Sequence, residues 1–266
     1  MYENRILAYL DILGFKETII GSINKTTGEE IEQETDKINK LFENVLELYK
    51  KYDHIDCNIN SKKISHFSDS IVISYSIEEE AGVFHILSNI LFFCASIISD
   101  GYLIRGAITY GKLYHSENKL FGPAMLSVYD MEKKLAFYPR IIFEKEIIAL
   151  AEKYPARFPS KTEQSKIIKK MIKKDNDGLY YLDYFNTIDY ILGASEGLIA
   201  YLISFKDKII ELEKKIEDNS IKSKYLWLKE KYNIALKNVK IKYLNEKINI
   251  ENKILYDFVK NEVYIK

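Results

Sequence analysis

Along the first 145 residues the spacing of apolar and polar positions changes several times, and each change marks an element. Asn4 to Leu13 is almost continuously apolar, the pattern of a central strand covered on both faces, and Gly14 ends it. After a polar stretch at 21 to 30, Ile38, Leu41, Phe42, Val45, Leu46, Leu48, Tyr49 and Tyr52 recur at near-helical spacing and predict an amphipathic helix. "SKKISHF" and "SIVISYS" are rich in β-branched residues and meet at Ser68-Asp69, the signature of a hairpin. Residues 79 to 99 predict an apolar helix, and "GYLIRGAITYGKLY" a strand in which Gly106 and Gly111 mark a close backbone approach or a bend. "GPAMLSVYDMEKKLAFYP" has proline in the first turn of a helix, and "PRIIF" is a further short strand. This order predicts an α+β fold, a ferredoxin-like βαββαβ core with an added edge helix and strand.

Beyond about residue 145 the chain becomes rich in Lys, Glu, Ile and Tyr, so a first domain at 1–145 and a mainly helical C-terminal extension at 146–266 are expected. Within the extension, "GLYYLDYF" reads as a strand or as a segment docked on the first domain. From Ile191 to about Lys240 two long amphipathic helices are expected, with Asp218-Asn219-Ser220 supplying the break and an N-cap for the second. Such a helical hairpin suits a support or an oligomerisation arm.

Composition narrows the function classes. The 266 residues are 47% hydrophobic, and 39 Lys and Arg balance 39 Asp and Glu, so no basic excess proposes a nucleic-acid partner or an anionic membrane. Cys57 and Cys94 read as free thiols, and without an N-terminal signal pattern the expected location is cytoplasmic. Ala81 to Ile98 is uncharged and near membrane-spanning length, but it contains His85, Ser88, Asn89 and Ser96 and is broken at Asp100-Gly101. A buried core or dimer helix is the preferred reading. The P-loop and dinucleotide glycine patterns are missing, and the four histidines do not gather with cysteines at zinc spacing. His66 lies at an odd offset from Asp69 and reads as a packing imidazole. The acidic "DNDG" at 175 to 178 lacks the ligand spacing of a calcium loop and reads as a turn.

Two carboxylates stand out. Asp11 sits at the inner end of the apolar run "AYLDILGF", where burial is costly without a cation or hydrogen-bond partners. Asp69 sits in the hairpin. Each has an ordinary structural use, Asp11 as a strand end or helix cap and Asp69 as a turn residue. Adjacent strands would place them together, where two carboxylates and the Ile12 carbonyl suit a hard divalent cation with positions left for phosphate oxygens.

"LDILGF" at 10 to 15, "FSDSIVIS" at 67 to 74, "IRGAITYGKLY" at 104 to 114 and "FGPAMLSVYDMEKKLAFYPRI" at 121 to 141 together resemble the catalytic domain of class III nucleotide cyclases. The resemblance implies Mg²⁺ or Mn²⁺ as two ions held by Asp11, Ile12 and Asp69. It also implies a head-to-tail homodimer, and attack of a ribose 3′-hydroxyl on the α-phosphate that releases pyrophosphate. Phe15, Ser65 and Lys119 become the candidate substrate contacts. The pattern also departs from the family. Leu126 and Asp130 stand where purine cyclases carry an asparagine and an arginine, and Ser65 and Lys119 stand where adenylate cyclases carry their base-reading lysine and its acidic partner. Arg105, Lys112, Lys119 and Arg140 are the candidate replacements for the missing cation, with Arg105 and Arg140 equally suited to interface ion pairs. Two readings follow. One is an active cyclase similar to the pyrimidine cyclases of bacterial anti-phage signalling, making a cyclic monophosphate from UTP or CTP. The other is a catalytically silent cyclase-like module that binds a nucleotide or a protein.

Overall fold

The computed structural model describes residues 1–49, 60–155, 160–187, 192–193, 196–245 and 253–266. Tyr52, His54 and Cys57 lie outside them. The chain divides into two compact units, the first comprising 1–93 with 103–182, the second 94–102 with 183–266.

In the first unit the apolar run becomes β1 (Glu3–Leu13), and Ile6, Leu7, Ala8 and Leu10 are fully buried, as a strand covered on both faces requires. Gly14, at φ 82, turns the chain out of the strand into α1 (Phe15–Gly21). α2 (Glu32–Glu47) follows. The hairpin is formed by β2 (Lys63–Phe67) and β3 (Ser70–Ser76), with Ser68 in the left-handed region at φ 56. After α3 (Gly82–Ser99) come β4 (Leu103–His115), the short β5 (Leu120–Phe121), α4 (Pro123–Leu135) with Pro123 in its first turn, and β6 (Ile141–Phe143).

The strands lie in the order β2-β3-β1-β4, each antiparallel to its neighbour, which is the expected ferredoxin-like core. β6 adds parallel to β4. Two further strands continue the sheet beyond it, β7 (Ile172–Lys174) and β8 (Tyr180–Leu182), in the order β6-β8-β7. "GLYYLDYF" thus contributes an inner strand, paired with β6 on one side and with β7, the edge strand, on the other. β7 carries only three residues and gives no periodic signal to read. α5 (Glu146–Lys153) and α6 (Lys161–Met171) join β6 to β7, and α6 opens with a capping box in which Ser160 and Glu163 satisfy each other's backbone N–H.

Strand alternation gives the sheet two chemically distinct faces. Ile6, Ala8, Leu10 and Ile12 share one, with Ile71, Ile73 and Tyr75 beside them. Helices cover this face: Tyr75 Oη contacts Asn89 of α3, and His66 bonds Tyr49 at 2.8 Å and packs on Phe42. The histidine is a packing residue, as its offset from Asp69 suggests. The other face carries Arg5, Leu7, Tyr9 and Asp11, flanked by Ser70, Val72 and Ser74 on β3 and by Arg105, Ala107 and Thr109 on β4. Gly106 lets β1 and β4 approach closely, because a Cβ there would stand 2.4 Å from the Tyr9 carbonyl oxygen.

Arg140 is fully buried just before β6, its guanidinium paired with Asp175 and Asp177 in the β7–β8 turn and stacked over Tyr138 at 5.2 Å. The "DNDG" segment is therefore a tight turn that delivers carboxylates to a buried arginine.

The second unit holds α7 (Glu196–Glu213), α8 (Asn219–Asn245) and α9 (Lys253–Asn261). Asp218 caps α8 by accepting from the N–H groups of Ser220 and Ile221, at the break the sequence marks. The unit's aromatics pack together: Phe185, in the turn after β8, stacks on Phe205 and meets Trp227 edge-on, and Tyr232 of α8 meets Phe205 of α7 edge-on. The final residues are pinned by Asn233, whose side chain donates to the Ile265 carbonyl and accepts from its N–H, each at 2.9 Å.

Among the described residues α3 is the one helix long and apolar enough to cross a membrane, with a mean hydropathy of 1.8, and 78% of that span is buried inside the protein. Cys94 is a buried free thiol in this helix, and burial pushes its pKa up.

Candidate active site

Asp11 lies two residues from the end of β1, on the face that α2 and α3 leave to other elements. Its backbone pairs with Ser70 on one side and with Arg105 on the other. The Ile12 N–H donates to the Asp69 carbonyl at 3.0 Å, so the hairpin turn is tied to the strand at the residue after Asp11. The register thus brings the two aspartates to neighbouring chain positions, although they are far apart in sequence. Asp69 is half-buried, and the Asp11 side chain is 18% exposed.

Arg105 Nε donates to Asp11 Oδ2 at 3.0 Å and stands 2.7 Å from Glu132 Oε1 on α4. Burial raises the Glu132 pKa, opposed by Arg105 and reinforced by Asp11. Tyr9, two residues before Asp11, bonds Ser70 Oγ at 2.8 Å and meets Tyr129 of α4 edge-on. Burial raises the Tyr9 pKa, with the Ser70 hydrogen bond opposing. Glu132 was not among the residues singled out from sequence, yet a signal exists. Ala124, Val128 and Glu132 repeat at a spacing of four and are all buried, so the carboxylate falls in line with an apolar stripe.

Asp11, Asp69 and the Ile12 carbonyl carry hard oxygen donors, the chemistry that Mg²⁺ and Mn²⁺ select, and as cation ligands the two carboxylates would leave positions for phosphate oxygens and water. Among the described residues no group of three Asp, Glu, His or Cys side chains gathers. The residues fit a substrate-shared cation site better than a closed structural one.

The other candidates are spread over the first unit. Lys112 is exposed and pairs with Asn4, seven positions along β1 from Asp11, or about 23 Å at the strand rise. Lys119 is exposed in the β4–β5 turn, its carbonyl accepting from the Ser116 N–H. Arg140 is committed to Asp175 and Asp177. Phe15 is buried edge-on against Phe42. On α4, Leu126 is 72% exposed, and Asp130 pairs with Lys134 at 2.6 Å. Of the candidates, the structure gathers Asp11, Ile12, Asp69 and Arg105 in one place.

Ser65 belongs to a second polar group on the same face. Its hydroxyl meets His115 Nε2 at 2.9 Å, while His115 Nδ1 meets Ser74 Oγ at 2.8 Å, and Ser74 Oγ accepts from Arg5 Nε. Burial, then the charges of Arg5 and Lys63, lower the His115 pKa from 6.5 to about 4. The unfolded chain therefore takes up a proton below about pH 6.5 that the folded chain refuses until about pH 4. This contribution to stability is complete above the unfolded pKa and is lost as pH falls through that window. His85, lowered to about 4 mainly by burial, acts with the same sign. The denaturant midpoint should fall between pH 6.5 and 4, and His115→Asn should make the fall shallower. An unchanged slope in that variant would remove His115 from the account.

No family model matches the chain, and no curated protein matches it. Among solved structures, it is similar to the monomeric guanylyl cyclase domain of the RhoGC fusion protein from the aquatic fungus Blastocladiella emersonii. That match has 16% identity and a TM-score of 0.40, and covers 68% of this chain and 95% of that one. It is also similar to a bacterial light-regulated adenylyl cyclase, at 15% identity and a TM-score of 0.35, covering 55% of this chain and 78% of that one.

Proposed function

We propose that the protein is a divalent-metal-dependent nucleotide cyclase that converts a nucleoside triphosphate, with UTP or CTP favoured, into a 3′,5′-cyclic monophosphate and pyrophosphate. The observation that carries this reading is the placement of Asp11 beside the Asp69 turn and directly across β1–β4 from Arg105. Asp11, Asp69 and the Ile12 carbonyl would hold two Mg²⁺ or Mn²⁺ ions. Those ions supply charge neutralisation on the polyphosphate and acidification of the ribose 3′-hydroxyl. Arg105 adds a fixed positive charge at the same spot, suited to the charge that develops on the phosphate oxygens. A homodimer arranged head to tail would let Lys112 and Lys119, at the far end of β4, serve the partner's site.

The pyrimidine preference rests on the motif resemblance and on the missing purine-reading pair. Ser65, hydrogen-bonded to His115, offers a small neutral group where adenylate cyclases carry their base-reading lysine, and Lys119 stands in place of that lysine's acidic partner. A role in antiviral signalling follows from the same resemblance, and a cytoplasmic location from the free thiols and the signal-less N-terminal pattern. A second reading, the silent cyclase-like module, is favoured by one observation: Leu126 and Asp130 offer no cation on the outer side of α4.

The test is to incubate the purified chain with Mn²⁺ and each of ATP, GTP, CTP and UTP and to identify products by mass spectrometry. A cyclic pyrimidine monophosphate with pyrophosphate is the expected product. Nucleotide binding without any cyclic product would favour the silent module.

A further inference from the structure

Arg105 is shared between two carboxylates in an unequal way. Its Nε carries one hydrogen, and that hydrogen is directed at Asp11 Oδ2, 3.0 Å away. Glu132 Oε1 is nearer, at 2.7 Å from the same nitrogen, yet it makes no hydrogen bond among the described residues. The Glu132 side chain is only 6% exposed, while those of Asp11 and Arg105 are 18% and 30% exposed. A buried carboxylate oxygen beside a guanidinium, but off the axis of its N–H, is an acceptor in waiting.

We propose that Glu132 is a positioning residue for the cation site: it takes over the Arg105 Nε–H when a divalent cation binds Asp11. A small rotation of the guanidinium redirects the hydrogen from Asp11 to Glu132. The exchange gives Glu132 Oε1 the hydrogen bond it lacks and lets Asp11 trade a hydrogen bond for a cation. Charge supports the same assignment. Asp11, Asp69 and Glu132 against Arg105 sum to two negative charges, which one divalent cation balances. Removing the Glu132 charge leaves one negative charge and leaves Arg105 held by Asp11, so cation and guanidinium compete for the same oxygen. The inference rests on the cation-site reading above but names a residue outside the donor set.

Binding of Mn²⁺ alone to the full-length protein tests it, by calorimetry and by the paramagnetic resonance signal of free Mn²⁺, with Asp11→Asn defining the specific site. Glu132→Gln should weaken the Asp11-dependent binding about tenfold, because the isosteric amide removes the competing charge. Arg105→Met combined with Glu132→Gln should restore it to within about threefold of the original, since the competitor is removed with its keeper. Thermal unfolding confirms that each variant is folded. Undiminished Mn²⁺ affinity in Glu132→Gln overturns the proposal. So does a double variant as weak as the single one, because Glu132 would then act otherwise than through Arg105. Both results leave the cation site standing. An original chain without Asp11-dependent Mn²⁺ binding overturns the site and the proposal together.

Discussion

Asp11→Asn is expected to abolish cyclic nucleotide formation, a loss of roughly a thousandfold or more, while the protein stays folded. The amide keeps the size of the carboxylate and can still accept from Arg105 Nε, so the polar contact at the end of β1 survives. What disappears is the negative charge. A neutral amide oxygen is a poor ligand for a hard divalent cation, so the proposed site would lose the charge that holds Mg²⁺ or Mn²⁺ beside Arg105. Asp69→Asn should act in the same direction. Product formation is read by mass spectrometry and folding by the unfolding temperature. A variant with normal melting and full turnover would sink the assignment of these carboxylates to the cation.

Arg140→Met is expected to produce the largest loss of stability. Its guanidinium is fully buried, and the side chain of Asp175 is only 5% exposed, so the substitution strands a carboxylate in the interior. Breaking a buried pair in this way costs about 3–5 kcal/mol. In a unit of this size that lowers the melting temperature by roughly 10 °C. Simultaneous replacement of Asp175 by asparagine should recover part of the loss, because the stranded charge goes with it. The experiment also separates two roles for Arg140. Loss of turnover with unchanged melting would point to a substrate contact, whereas loss of stability points to the clamp on the β7–β8 turn.

The core topology was legible because its signals are local and strong. The apolar run of β1, the β-branched hairpin and the proline that opens α4 each announce an element, and the βαββαβ order leaves few ways to arrange them. The placement of Asp11 near Asp69 could also be anticipated, since both fall at ends of strands that the topology makes neighbours. Glu132 was hidden because its partner, Arg105, lies on a strand across the sheet face, and within the charged run "DMEKK" Glu132 looks like an ordinary solvated charge. The commitment of Arg140 was hidden for a similar reason. Its counter-ions come from a turn 35 residues later, between strands too short to signal themselves.

That long-range clamp constrains the order in which the molecule can be finished during synthesis. A nascent chain that has emerged only to residue 145 already contains the β1, β3 and β4 ladder, but it presents Arg140 to the sheet edge before Asp175 and Asp177 exist outside the ribosome. β6 gains this clamp only after about thirty further residues have been made. Until then the β4 edge, with its unpaired backbone groups, is open to passing strands, and this is the stage at which a holding chaperone would have most to protect.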